Sequence, residues 1–160
     1  MKLIYCFIFA VVAVSVACTP KAMNIQFDPT AFMPYQKEGT STITGSAFLK
    51  TRGGEVKVGA GNVIELIPMT PYIRERFERI MVNGERLVDR DPRVEAFTRK
   101  TVADAQGNFE FKNIPQGDYA LYCLIQWEVP AGIITTTTGG YAYASVHVEE
   151  GRSYRVIVTR

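Results

Sequence analysis

Thr101 to Trp127 reads TVADAQGNFEFKNIPQGDYALYCLIQW, and this stretch decides the fold. Asp104-Ala-Gln-Gly107 has the chemistry of a tight turn, with an aspartate able to bond backbone amides and a glycine able to take a positive φ. Asn108 to Lys112 then alternates, so that Phe109 and Phe111 share one face of a short strand. Asn113-Ile-Pro-Gln-Gly117 is a second turn, because Pro115 fixes φ and removes a donor. Tyr119, Leu121, Cys123, Ile125 and Trp127 fall on one face of the longer strand that follows. Two punctuated turns between alternating runs predict an antiparallel all-β domain.

Working outward, the same grammar covers most of the chain. Ser41–Thr51, Glu55–Val58 and Asn62–Pro68 read as strands separated by hairpin glycines. No Gly-Lys-Ser/Thr follows those glycines, so they do not form a phosphate loop. Thr70-Pro71 has the signature of a helix start, and Ile73, Phe77, Ile80 and Met81 follow at the spacing of one buried stripe, up to a stop at Asn83-Gly84. Glu75 and Arg79 form an i, i+4 pair expected on its exposed side. The arginines from Arg74 to Arg93 are interleaved with acids, which predicts a mixed-charge surface rather than an anion site. Ala96–Ala103 leads as a strand into the central turns. Beyond Trp127, residues 128 to 140 read as a polar Pro/Thr/Gly loop, followed by strands over Tyr141–Val148 and Tyr154–Thr159.

The spacing Asp104-x-x-Gly107-x-Phe109-x-Phe111, then Ile114-Pro115-x-Gly117-x-Tyr119-x-Leu121, resembles the signature of carboxypeptidase regulatory-like domains. The resemblance extends loosely over 40–160. It implies a transthyretin-like, immunoglobulin-like antiparallel β-sandwich of about seven strands, here with one short helical insertion. Such domains are accessory or binding modules, and the matched residues are turn and core positions.

The first 17 residues have the form of a signal peptide: Lys2 is followed by an apolar run too short to span a bilayer. Small residues precede Cys18, and Ala17-Cys18 resembles the lipobox junction of bacterial lipoproteins, with Ser15 standing where that box usually has Leu. The resemblance implies acyl chains, palmitate among them, on Cys18, and an anchor held by two or three chains is stable where one is not. Thr19 follows the cysteine instead of Asp, which by the same resemblance implies the outer membrane, with the domain on its periplasmic side. An ordinary secretory signal with an incidental cysteine is the competing reading. Residues 18–39 then form a lipidated N-terminus and tether. Its Met23, Ile25, Phe27, Phe32, Met33 and Tyr35 are too apolar for a hydrated linker, so it packs on its own domain or on a partner.

Composition and reactive residues exclude several functions. The formal charge of +2 gives no nucleic-acid or anionic-surface signal. Cys6 leaves with the signal and Cys18 is consumed by lipid, so Cys123 has no disulfide partner and sits on an apolar face as a small hydrophobe. His147 is the single histidine. One histidine cannot supply the two that iron dioxygenases of this architecture use, nor the several of the hydroxyisourate hydrolases. No His/Cys cluster suits a metal. We expect no catalytic residues, no metal and no cofactor.

Two functional readings remain. The first is a non-catalytic envelope lipoprotein acting as a protein-interaction or structural module, contacting other envelope proteins or itself, as part of an outer-membrane or secretion assembly. The second is a carbohydrate-binding lipoprotein. For the second, Trp127, Tyr141 and Tyr143 flank the Pro/Thr/Gly loop and are the candidate ligand-binding aromatics. The same alternation also suits core or cross-strand packing.

Overall fold

The structure is a computed structural model that describes residues 19–160; the expected signal peptide and Cys18 lie outside the described residues. Among the described residues eight strands form two sheets: β1 Ser41–Lys50, β2 Val56–Val58, β3 Val63–Pro68, β4 Arg99–Val102, β5 Asn108–Ile114, β6 Gly117–Ala131, β7 Ile134–Val148 and β8 Ser153–Val158. One sheet runs β2-β1-β5, with β8 added parallel to β1; the other runs β4-β3-β6-β7 and is antiparallel throughout. The expected all-β sandwich is the fold.

The central turns form as their chemistry dictates. The Asp104 carboxylate accepts from the amides of Gln106 and Asn108 at 2.9 and 2.8 Å. Gly107 sits at φ +81°, and a Cβ there would lie 2.8 Å from the Ala47 carbonyl. At the second turn the Tyr119 hydroxyl donates to the Pro115 carbonyl across 2.8 Å. Between the sheets, Ile43, Ile64, Leu66, Phe109, Phe111, Ile114, Leu121 and Ile125 make the main core. Cys123 is 1% exposed in that core, and burial pushes its thiol up to about 11, so it is an inert hydrophobe.

A second core covers the outer face of the β4-β3-β6-β7 sheet. Ile67 and Ala120 face outward there and meet Tyr72 and Ile73 of helix α1 (Pro71–Phe77), together with Phe32 and Val94. The Thr70 side chain caps α1 and Pro71 opens it. The helix then widens into a π-turn over Glu78–Val82 and stops before Gly84 at φ +67°. The stretch read as a strand from Ala96 begins instead with a 3-10 helix, Pro92–Phe97, because Asp91 caps it and Pro92 starts it.

The tether belongs to this layer. Its 3-10 helix, Pro29–Tyr35, buries Phe32 completely, and the Phe32 and Phe97 ring centroids are 4.7 Å apart. Phe27 packs at 6.0 Å on Tyr72 and lies under the Arg93 guanidinium at 4.5 Å. Tyr35 meets Tyr119 edge-on at 5.3 Å. Ile25 and Met33, 42% and 62% exposed, are the large apolar exceptions. The Glu75–Arg79 pair is not on an exposed face as the helical spacing suggested. Its side chains are only 10% and 15% exposed, because the tether crosses them. Glu75 accepts from the amides of Asn24 and Ile25 at 2.9 and 2.7 Å, and Arg79 donates to the Ala22 carbonyl at 2.9 Å.

The expected loop at 128–140 is a hairpin arm. β6 and β7 stay paired from Gly117↔Val148 out to Ala131↔Ile134. Pro130 is tolerated because β3 pairs with β6 only as far as Cys123, leaving that edge of the arm free. The threonines at 135–138 favour extended backbone.

Candidate functional site

The outer face of the β4-β3-β6-β7 sheet is covered only in part, and the uncovered part is a groove of about 600 Å³. Strand alternation sets its floor. Val63, Glu65 and Ile67 of β3, Tyr122, Leu124 and Gln126 of β6, and Tyr141 of β7 all face outward. The register aligns Glu65 with Tyr122 and Leu124 with Tyr141. One wall is the helical layer: Ile73 and Arg76 of α1, then Ile80 and Met81 of the π-turn. Asn62 and Arg90 complete the rim.

The polar groups are held in place. Arg90 donates to Glu65 at 3.1 Å and reaches Glu95 at 3.5 Å, while Lys100 lies 3.4 Å from Glu65 and also pairs with Glu95. Arg76 donates through Nη1 to the Val88 carbonyl at 2.8 Å. Desolvation raises the Tyr122 phenol well above its ordinary range, against the nearby Arg76 and Arg90 charges, so it stays a neutral hydroxyl. The floor therefore sets Tyr122, Leu124 and Tyr141 beside the planar side chains of Glu65 and Gln126, with the Arg76 and Arg90 guanidiniums held at its sides. That combination can bind the apolar face of a ring and hydrogen-bond its substituents.

The three aromatic residues expected to bind ligand are separated. Tyr141 is in the groove and 48% exposed. Tyr143, the next outward residue on β7, braces the wall: its ring meets Phe77 edge-on at 5.5 Å and its hydroxyl donates to the Met81 carbonyl at 2.9 Å. Trp127 lies on the opposite face, half-buried beside the inter-sheet core, with Lys57 Nζ 6.0 Å from its ring centroid. Glu65, Tyr122 and Gln126 escape the sequence reading, and Arg76 and Arg90, expected on a mixed-charge surface, line the groove instead. A signal for them existed in β6, whose outward positions Ala120, Tyr122 and Leu124 are as apolar as its inward ones. A strand apolar on both faces announces a covering layer.

A smaller cavity of about 350 Å³ on the same face is lined by Arg74, Asp118, Ser145 and His147 among others. His147 Nδ1 lies 2.6 Å from Asp118, whose second oxygen accepts from Arg74 at 3.0 Å. The His147 contact, chiefly, holds the Asp118 carboxyl below its ordinary value. Among the described residues no hydroxyl is hydrogen-bonded to His147, so this is a surface histidine hydrogen-bonded to a carboxylate. No group of three metal-ligating side chains occurs among the described residues.

No protein-family model matches the chain, and no curated protein matches it in sequence. Its structure is similar to a crystal structure from Pseudomonas aeruginosa described as a "putative carbohydrate binding protein". The two are 24% identical with a TM-score of 0.73, and the match covers 85% of this chain and 99% of the other. At that identity the likeness establishes a shared β-sandwich fold.

Proposed function

We propose that this chain is a non-catalytic carbohydrate-binding lipoprotein of the bacterial envelope, anchored through Cys18, and that it binds its ligand in the groove between α1 and strands β3, β6 and β7. The observation that carries this reading is the pairing of the apolar and aromatic Tyr122, Leu124 and Tyr141 with polar groups beside them, Glu65 and Arg90 locked in an ion pair and Asn62 and Gln126 at the margins. Sugars bind such surfaces because ring C–H faces stack on aromatics while hydroxyls need planar, preorganised hydrogen-bond partners. The description of the Pseudomonas aeruginosa structure supports the same class of ligand. A glycan array probed with the purified chain tests it. The expected result is selective binding that Tyr141→Ala removes; an array with no signal overturns the reading.

A protein-interaction role draws support from a different place, the β6–β7 arm. Ile133 is fully exposed at its tip and Ile134 is 63% exposed. The tether no longer favours that role, since its aromatic residues pack on their own domain. Crosslinked pull-down from solubilised membranes, comparing the full chain with a form whose arm is shortened between Trp127 and Thr138, tests it. Identical recoveries would remove the arm from consideration.

A further inference from the structure

Six arginines stand from Arg74 to Arg93, and four of them are matched by acids. Arg74 pairs with Asp118, Arg79 with Glu75 and Glu85, Arg90 with Glu65 and Glu95, and Arg93 with Asp91. Arg86, exposed to solvent, and Arg76 are the exceptions, and of the two only Arg76 lines the groove. Among the described residues no carboxylate lies within 4.0 Å of Arg76, and its Nη1 donates to a backbone carbonyl, that of Val88. That bond fixes the guanidinium on the wall of the groove, half-buried, with its remaining N–H donors unspent.

The lining therefore holds two guanidinium groups, Arg76 and Arg90, against one carboxylate, Glu65, which Arg90 and Lys100 already engage. We propose that the saccharide bound here is acidic, and that Arg76 is the residue that receives its carboxylate. The inference rests on the carbohydrate reading above and deepens it. Guanidinium is always charged and presents a rigid fork matched to a carboxylate, with two parallel N–H to O bonds. Its partial burial also makes the pairing stronger than on an open surface. A neutral sugar would leave that fork unmatched, and a densely charged phosphoester would gain nothing from the apolar floor beside it. A uronate satisfies both: its ring lies over Tyr122 and Tyr141 while its carboxylate meets Arg76.

Calorimetry on the full chain, solubilised in a non-glycosidic detergent, tests this with matched ligands. Oligomers of galacturonate, glucuronate and mannuronate are each compared with their carboxyl-reduced counterparts, which differ only at the acid group. At least one uronate should bind about tenfold more tightly than its reduced counterpart, the scale of a charge-assisted hydrogen bond. Arg76→Gln should erase that preference, and Arg76→Lys should restore part of it. Reduced oligomers binding as well as the acids, or neutral glycans binding while no uronate does, overturns the inference and leaves the carbohydrate reading standing. A preference that persists in a folded Arg76→Gln protein overturns the role of Arg76. If no saccharide binds, acid or neutral, both fall. The wild-type comparison requires no variant to fold.

Discussion

The Tyr143 hydroxyl donates to the Met81 carbonyl across 2.9 Å, joining strand β7 to the π-turn that walls the groove. A carbonyl in a widened turn lacks its regular helical partner, and Tyr143 supplies a donor from below. Tyr143→Phe keeps the edge-on contact with Phe77 but deletes this bond. Stability should fall by about 1 kcal/mol, and glycan affinity should fall with it because Ile80 and Met81 lose their fixed position. Urea denaturation and calorimetry on the same preparation measure both; unchanged affinity would show that the wall does not touch ligand.

Tyr141 should behave in the opposite way. It is 48% exposed, so Tyr141→Ala should leave the denaturation midpoint close to wild type. An aromatic anchor in a binding groove costs about 2 kcal/mol when truncated, and glycan binding should weaken on that scale. Trp127→Ala supplies the contrast: facing the inter-sheet side, it should lower stability with little direct effect on binding.

Glu75 links the tether to the helix and gives that link a pH dependence. Burial raises its carboxyl, but the Asn24 and Ile25 amides and the Arg79 guanidinium outweigh this and hold it below the ordinary 4.5. A carboxyl whose folded value is depressed stabilises above its ordinary value and loses that contribution as pH falls through the lower folded one. The amide resonances of Asn24 and Ile25 should therefore titrate together, with a midpoint below 4.5. Glu75→Gln should make the tether more sensitive to protease at neutral pH. Equal cleavage rates in the two proteins would refute the link.

Gly107 combines φ +81° with a Cβ position 2.8 Å from the Ala47 carbonyl, so Gly107→Val is strained twice. The expected loss is about 1–3 kcal/mol. Phe32→Ala, which empties a completely buried site in the outer core, should cost about 3–5 kcal/mol. Denaturant midpoints decide both.

Cys18→Ala should abolish incorporation of a clickable fatty acid and move the protein out of the membrane fraction. Retained labelling would assign the lipid elsewhere, and retained fractionation without labelling would assign membrane binding to the domain itself.

The double-turn stretch was readable because its information is local: Asp104, Gly107, Pro115 and Gly117 specify turns without reference to the rest of the chain. The groove was not readable in that way. Tyr141 and Tyr143 are equivalent in the alternation, and only the placement of the π-turn above β7 leaves one exposed in the groove and makes the other a brace. Trp127 is close to them in sequence, but strand parity places it with Cys123 and Ile125. Residues 128–140 carry Pro130 and Gly139, which usually interrupt strands. The hairpin survives because the arm has a free edge where a missing donor costs nothing. The tether's aromatic side chains correctly signalled burial, but their sequence could not say against which surface.

The docked tether also fixes a distance. Lys21 forms a bridge with Leu87, and its amide donates to the Arg86 carbonyl at 2.8 Å, so the chain is tied to the domain three residues after Cys18. Three residues span at most about 10 Å when extended. An acyl group on Cys18 would therefore hold the domain flush against the bilayer, with no free leash to sweep out a volume. The searching for ligand would be done by diffusion of the whole protein in the plane of the membrane.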